Sequence, residues 1–354
     1  MEKPVPNPQE TQRQQYVDTI QRFVATKTDF GIAADYDHNI SKPGPSRELD
    51  PRDSTVNPDI RQAFSDMIQA GKEVVIISSR GARDIARIVN VPGVSIVGSL
   101  GWETLDADGI SHIHPRFKPF EPQITGILKD VRERFFTKQL GIPTDIVNEP
   151  NTELTTPDGG TVILQRKGYN EEYPEGINAT YSLNLVSEEA RETYKKTLEQ
   201  YYNEAFAKYA HPLNKADKAR LKEMCDFKLY PGKTADGLPT LDVEIRPTSQ
   251  GAKANALMQL MREPHDPKRQ AHFAGMPHHQ FWIYSGDHDV QDSAAMRAGH
   301  TAHQLTKGKR GVVGIWTKPS HQEAKEVRGV DIVVNSVAGN AELMQKTAAI
   351  IAAA

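Results

Sequence analysis

The sequence predicts an α/β chain: a parallel-sheet core with a smaller α/β unit inserted into it. Three observations lead there. Short β-rich runs alternate with helical stretches, the pattern of a parallel sheet with crossover helices. The runs are almost continuously apolar, as strands covered on both faces must be. This pattern breaks off in the middle of the chain and resumes near Phe281.

The runs that read as core strands are Gly31–Ala34, Glu73–Ile77, Ser95–Gly98, Phe281–Ser285, Gly311–Trp316 and Asp331–Val334. The helix between the first two is well punctuated. Asn57 can cap it, Pro58 takes the first helical position and Gly71 ends it. Ile60, Phe64, Met67 and Ile68 fall on one face at helical spacing. The middle of the chain holds long amphipathic helices, Phe120–Leu140 and Ser187–Tyr209, with strand-like Thr161–Gln165 and Ala179–Val186 between them. Loops rich in Pro, Asn, Gly and Thr (Asn148–Gly160, Gly168–Gly176) separate these pieces. The expected division is a polar, helix-prone lead-in over residues 1–25, a core from residues 26–117 and 243–354, and an insertion over residues 118–242. No internal repeat, heptad seam or low-complexity tract is visible.

Composition narrows the function. At 354 residues the chain is long enough for two domains. Hydrophobic residues at 38% and charged residues at 25% give a soluble globular balance. Lys+Arg 43 against Asp+Glu 46 leaves −3, so no global basic field points to nucleic acid. A single cysteine, Cys225, rules out an intramolecular disulfide framework and suits a reducing compartment. The start MEKPVPNPQE has no apolar signal-peptide core and no run approaches a membrane span, so the expectation is a cytoplasmic protein without a membrane partner. Asn178-Ala179-Thr180 matches a glycosylation acceptor, which has no use without a secretory route.

Four segments carry chemistry. The first is Asp35-Tyr36-Asp37, directly after the apolar run Phe30–Ala34. Unpaired carboxylates are too costly inside a strand. At the carboxyl end of a strand, where α/β sheets bind ligands, they can hold a divalent cation and attack a phosphorus. The second is Val74-Val75-Ile76-Ile77-Ser78-Ser79-Arg80-Gly81, a strand ending in hydroxyls before a helical pattern from Ala82. Ser78 or Ser79 can cap that helix, whose amino end favours a phosphate. The third is Glu244-Ile245-Arg246-Pro247 followed by Lys253 at the start of the helix Ala252–Met261. The dipole disfavours a lysine there, and a bound phosphate reverses the preference. The fourth is Phe281–Ser285 followed by Gly286-Asp287-His288-Asp289-Val290-Gln291-Asp292. Asp287 together with Asp35 offers the oxygen ligands that Mg²⁺ prefers. The twelve histidines are scattered, and the pairs His112/His114 and His278/His279 lack zinc-type companions. Gly232-Lys233-Thr234 imitates the tail of a P-loop but Phe227 stands where its first glycine belongs, and Gly308, Gly311 and Gly314 do not make a dinucleotide fingerprint.

Strand-D-x-D, strand-Ser, helix-start Lys and strand-Gly-Asp, in this order, resemble the four motifs of the haloacid dehalogenase superfamily, and more narrowly the trehalose-6-phosphate phosphatases. The likeness rests on ADYDHNI, IISSR, VEIRP with Lys253, and SGDHDVQDSAAMRA, with VGSLGWE and QRKG as weaker matches, over residues 30 to 340. His38 and Asn39 replace the family's Gly and Thr, Ser79 a Gly, and Leu100 a His. His288, Val290 and Gln291 replace Asp, Thr and Asp, and an extra residue lies between Pro247 and Lys253. The second metal-side carboxylate is then Asp289 or Asp292.

The resemblance implies a Rossmann-like core with a C2-type cap and a phosphatase mechanism. Asp35 would attack phosphorus, Asp37 would serve as general acid and base, and Ser78 and Lys253 would hold phosphoryl oxygens. Mg²⁺ would be held by Asp35, the Asp37 carbonyl and Asp287. Lys167, Glu244 and Arg80 would meet a sugar phosphate, with trehalose 6-phosphate first. Another sugar or compatible-solute phosphate is the nearest rival, and a non-catalytic regulatory relative the alternative of a different class.

Overall fold

The computed structural model describes residues 8–37, 39–42, 55–143, 153–169, 172–234, 236–248, 252–261, 273, 275–287, 291–318 and 330–354. Its elements run, in chain order, α1 (Pro8–Thr26), β1 (Phe30–Asp35), β2 (Ser41–Lys42), β3 (Thr55–Val56), α2 (Pro58–Gln69), β4 (Val74–Ile77), α3 (Ala82–Val89), β5 (Val94–Gly98), β6 (Glu103–Leu105) and β7 (Ser111–Ile113). After these come α4 (Glu121–Glu133), β8 (Glu153–Thr155), β9 (Thr161–Lys167), β10 (Asn178–Asn184), α5 (Glu188–Ala210), α6 (Lys215–Met224), β11 (Asp226–Lys233) and β12 (Pro239–Arg246). The chain closes with α7 (Ala252–Leu260), β13 (Phe281–Gly286), α8 (Gln291–Leu305), β14 (Gly311–Thr317), β15 (Ile332–Val334) and α9 (Val337–Ala353).

The core sheet has the order β15-β14-β13-β1-β4-β5-β6-β7. From β15 to β5 every pairing is parallel. The parallel core expected from the sequence is present, and at one edge β6 and β7 extend it with antiparallel strands. Three-residue strands joined by a tight turn can pair locally without a crossover helix, so no apolar run announces them. Period-2 alternation divides the central strands between two clusters. Phe30, Ile32, Ala34, Val74, Ile76 and Ile283 pack with α1, α2 and the C-terminal helix α9. Ala33, Val75, Ile77, Trp282 and Tyr284 pack with α7 and α8. Both faces are covered, which explains the uninterrupted apolar strands.

The second sheet has the order β11-β12-β10-β9-β8 and is antiparallel throughout. One face buries Leu164, Tyr181, Leu183, Val243 and Ile245 against α4, α5 and α6. Antiparallel register places Lys167 opposite Asn178, and Thr180 opposite both Gln165 and Glu244, so these polar side chains share the other face. The expected boundary at residues 242/243 falls inside β12, whose Val243 and Ile245 belong to this second apolar cluster. The lead-in is built into the core: Ile20 and Val24 of α1 are buried there, and Phe23 packs edge-on against Phe30 and Phe281.

Asn57 accepts from the Asp59 amide at the start of α2, with Pro58 in the first turn. Ala70 caps the carboxyl end, and Gly71 follows in the left-handed region at φ 76°. Helix α3 departs from expectation. Its N-cap is Gly81, without a side-chain bond, and the Ala82 amide donates at 2.9 Å to the buried Glu103 carboxylate from the antiparallel edge.

Candidate active site

Three strand ends and the start of one helix meet at the carboxyl edge of the core sheet. Strands β1 and β4 are paired up to Asp35 and Ile77, so Ser78 follows beside the Asp35-Tyr36-Asp37 segment. Strands β1 and β13 are paired up to Ala34 and Ser285, two residues before Asp287. Parallel register alone therefore converges the first, second and fourth segments. Helix α7 adds Lys253, whose Nζ lies 2.8 Å from Asp35 Oδ2 and 3.0 Å from Asp292 Oδ1.

Asp292 was one of two candidates for the further carboxylate, and it is the one within this group; Asp289, with His38, His288 and Val290, lies outside the described residues. It sits in the first turn of α8 and is fully buried. Its Oδ1 also accepts from the Tyr284 hydroxyl at 2.6 Å, and its Oδ2 from the Asp287 amide at 3.1 Å. Gly286 makes this approach possible, because a Cβ there would stand 2.5 Å from Asp292 Cγ.

Asp35, Asp287 and Asp292 each offer an oxygen within 4.8 Å of the others. Among the described residues Lys253 is the ammonium bonded to this buried group, at Asp35 and Asp292. Burial first, then the Asp292 carboxylate, pushes the Asp35 carboxyl from the ordinary 3.8 up to about 7, against the pull of Lys253. Burial, then Asp35 and Asp292, raises Asp287 to about 10. For Lys253, burial is outweighed by the two carboxylates, which hold the ammonium above its ordinary range. An oxygen-only, buried donor set fits a hard divalent cation such as Mg²⁺.

The sign of the resulting pH effect is fixed. A carboxyl whose folded pKa is raised keeps its proton in the native state after the unfolded chain has lost it. Stability then falls as pH rises from the ordinary carboxylate range, to about 7 for Asp35 and on to about 10 for Asp287. The metal-free protein is expected to melt lower at pH 7 than at about pH 5. Saturating Mg²⁺ should remove most of that difference, because the cation binds only the folded carboxylates. A melting temperature indifferent to both Mg²⁺ and pH would contradict the assignment.

Asp37 is oriented differently from Asp35. Arg80 Nε donates to its Oδ1 and Oδ2 at 3.0 and 3.1 Å, and Arg80 Nη2 donates to Oδ1 at 2.6 Å. The guanidinium is buried and its plane lies near the Tyr36 ring, with Cζ 5.2 Å from the centroid. Ser78 is fully buried and its Oγ accepts from the Arg80 amide at 3.1 Å, which fixes the hydroxyl at the turn rather than at a helix cap.

Lys167 and Glu244 come from the second sheet, with Nζ and Oε1 3.9 Å apart. Lys167 is buried, and burial, only partly opposed by Glu244, lowers its pKa; Arg246 and Arg80 push the same way. A Cβ on Gly81 would lie 3.5 Å from Lys167 Cα, so the end of β9 abuts the loop that carries Ser78 and Arg80. Glu244 Oε2 also accepts from Arg246 Nε at 2.5 Å, and Arg246 Nη2 donates to Tyr230 at 3.0 Å.

Sequence reasoning missed Tyr284, which read as strand core, and the Arg80–Asp37 fork. No helix among the described residues is long and apolar enough to cross a membrane.

Comparison with known proteins gives a fold. No family model and no curated protein matches the sequence. Among solved structures, the C-terminal domain of a Candida albicans trehalose-6-phosphate phosphatase aligns with TM-score 0.53 and 12% identity, over 94% of this chain and 96% of that one. A trehalose-6-phosphate phosphatase related protein aligns with TM-score 0.51 and 13% identity, over 88% and 94%. The chain thus has the fold of these proteins.

Proposed function

We propose that this chain is a phosphatase acting on a sugar phosphate, with trehalose 6-phosphate the first substrate to test. The observation that carries the reading is Lys253 bridging Asp35 and Asp292 beside an Asp37 held by Arg80. An ion-pair network built only for stability gains little from so many buried anions. A site that stabilises a transferring phosphoryl group needs this mixture of oxygen ligands and fixed positive charge.

In this reading Asp35 attacks phosphorus in line. A covalent aspartyl-phosphate forms as the bond to the sugar oxygen breaks, which splits one hard displacement into two. Arg80 holds Asp37 as a carboxylate, so Asp37 must first take up a proton and turn out of the fork to supply it to the leaving sugar oxygen; as the carboxylate again it takes a proton from the attacking water in the second half. The Arg80 fork keeps its carboxylate oriented between the two halves, so Arg80 orders the acid–base group in addition to the sugar-phosphate contact that the resemblance implies. Lys253 and Ser78 hold phosphoryl oxygens. Mg²⁺, ligated by Asp35, Asp287 and the Asp37 main-chain carbonyl with Asp292 beside them, would offset the repulsion between carboxylate and phosphate.

The second sheet acts as the cap, which seats the sugar and excludes water. Lys167 and Glu244 are its candidates for sugar hydroxyls, supported by the buried Lys167, which abuts Gly81, and the half-buried Glu244 beside it on the polar face. A Lys167→Ala protein is expected to raise KM for the sugar phosphate about tenfold, the worth of one charged hydrogen bond, while KM for a small aryl phosphate stays put. Equal increases for both would remove Lys167 from the sugar site.

A phosphate-release screen over sugar phosphates, with and without Mg²⁺, tests the whole reading. Mg²⁺-dependent release is expected, fastest from trehalose 6-phosphate. Release from a different sugar phosphate would keep the chemistry and change the substrate. No release from any, with binding retained, would favour a regulatory relative.

A further inference from the structure

The backbone ladder between β1 and β13 ends at the pair Ala34–Ser285, one residue short of Asp35. Beyond it a side chain takes over. Asn39 Nδ2 donates to the main-chain carbonyl of Asp35 at 3.0 Å and to that of Ser285 at 3.0 Å. One amide therefore ties together the strand ends that deliver Asp35 and Asp287. Its orientation is fixed by chemistry, because two carbonyls can only accept and so require the nitrogen.

The other side of the same amide is fixed as firmly. Asn39 Oδ1 accepts from Ser285 Oγ at 2.7 Å, Thr317 Oγ1 at 2.6 Å and Asn340 Nδ2 at 3.1 Å. Asn340 Nδ2 also donates to the Asn39 main-chain oxygen at 3.0 Å. Asn39, Ser285, Thr317 and Asn340 are all fully buried. Asn340 stands in the first turn of the C-terminal helix α9, whose start is set by Ser336 accepting from the Gly339 amide. The segment leaving Asp35 is also held by Arg80 at Asp37, by Lys253 at Asp35, and by the Tyr36 carbonyl, which accepts from the Ile40 and Ser41 amides and from the Ser41 hydroxyl.

The geometry points to Asn39 and Asn340 as a positioning pair for the phosphoryl-transfer site, with the C-terminal helix acting as the clamp that fixes the Asp35–Asp37 loop. Neither residue touches a reacting atom. They act through the Asp35 carbonyl, and an in-line attack tolerates only small displacements of its nucleophile. A purely structural network would need only to satisfy its own polar atoms. This one spends its central amide on the two catalytic strand ends, just where regular pairing stops.

Asn340→Ala removes the clamp, and Thr317→Val removes one donor with little change of shape, so that a folded variant is at hand. Thr347→Val is the control: Thr347 is equally buried on the same helix but bonds only to its own Leu343 carbonyl. Two readouts are taken: kcat and KM for an aryl phosphate with Mg²⁺, and amide hydrogen exchange over residues 35–41. Asn340→Ala is expected to lower kcat at least tenfold with KM within about twofold, and to speed exchange over residues 35–41. Thr317→Val should do the same more weakly, and Thr347→Val neither. Asn39→Ala combined with Asn340→Ala should be no slower than Asn39→Ala alone, as for two residues acting as one unit. Parent kcat, or parent exchange over residues 35–41, in folded Asn340→Ala and Thr317→Val would overturn the pair. The kinetic half rests on the phosphatase reading, whereas the exchange half does not. A parent protein that releases no phosphate therefore condemns that reading and leaves the clamp to be judged by exchange.

Discussion

An Asp35→Asn protein is expected to release phosphate at least about a thousandfold more slowly than the parent while melting no lower at neutral pH without metal. The first half follows from the chemistry: an amide cannot form the acyl-phosphate, and losing a nucleophile costs more than losing any group that assists it. The second half follows from the raised pKa. Ionised Asp35 loses more from burial and from Asp292 than it recovers from Lys253, so its charge is a net cost to the fold. The substitution removes that cost together with activity, as expected of a strained functional group. A variant that melts far lower and keeps its rate would mark Asp35 as a structural partner of Lys253.

Lys253→Met should fail in the opposite way, losing both stability and rate. Its ammonium is the counter-ion to two buried carboxylates at 2.8 and 3.0 Å. Removing one partner of a buried pair typically costs about 3–5 kcal/mol, because the remaining charge is left uncompensated. Part of that should return with Mg²⁺, which can neutralise the same oxygens, so the melting deficit is expected to shrink on adding metal. The rate should not return. A fixed donor on a transferring group is worth about 3 kcal/mol, roughly a hundredfold or more in kcat, and a cation held by the carboxylates does not occupy the lysine's position. The readouts are melting temperature and kcat, each with and without Mg²⁺. Full recovery of rate by metal would show Lys253 to be a charge balance only.

Which parts of this site the sequence exposes follows from the range of the interactions involved. Asp35, Ser78 and Asp287 are legible because each follows an apolar run, and parallel register then brings strand ends together without further information. Lys253 is legible because a lysine opening a helix opposes the dipole and needs a reason. Asp292 was recognisable only as one of two acids; the first turn of α8 places its carboxylate over Gly286, while Asp289 lies outside the described residues. Arg80 reads only as a contact for the sugar phosphate, since nothing in the segment itself shows that its guanidinium turns back onto Asp37. Residue Asn39 looks like a mere departure from a motif, and its partner Asn340 lies 301 positions away in the C-terminal helix. The second sheet was half legible. Strands β9 and β10 carry clear patterns, whereas β11 is an edge strand with exposed Tyr230 and no apolar periodicity, and it forms only because β12 lies beside it. Within that hairpin Gly232-Lys233-Thr234 ends a strand and opens no helix, which removes its likeness to a phosphate loop.

Trapping the covalent intermediate tests the central claim most directly. The parent protein is mixed with Mg²⁺ and a sugar phosphate, quenched in acid during turnover, and its peptides are weighed. The expected result is one added phosphoryl group on the peptide containing Asp35, lost on standing in base and missing from Asp35→Asn. Steady phosphate release with the phosphoryl group on another residue, or with equal turnover by Asp35→Asn, would contradict the account.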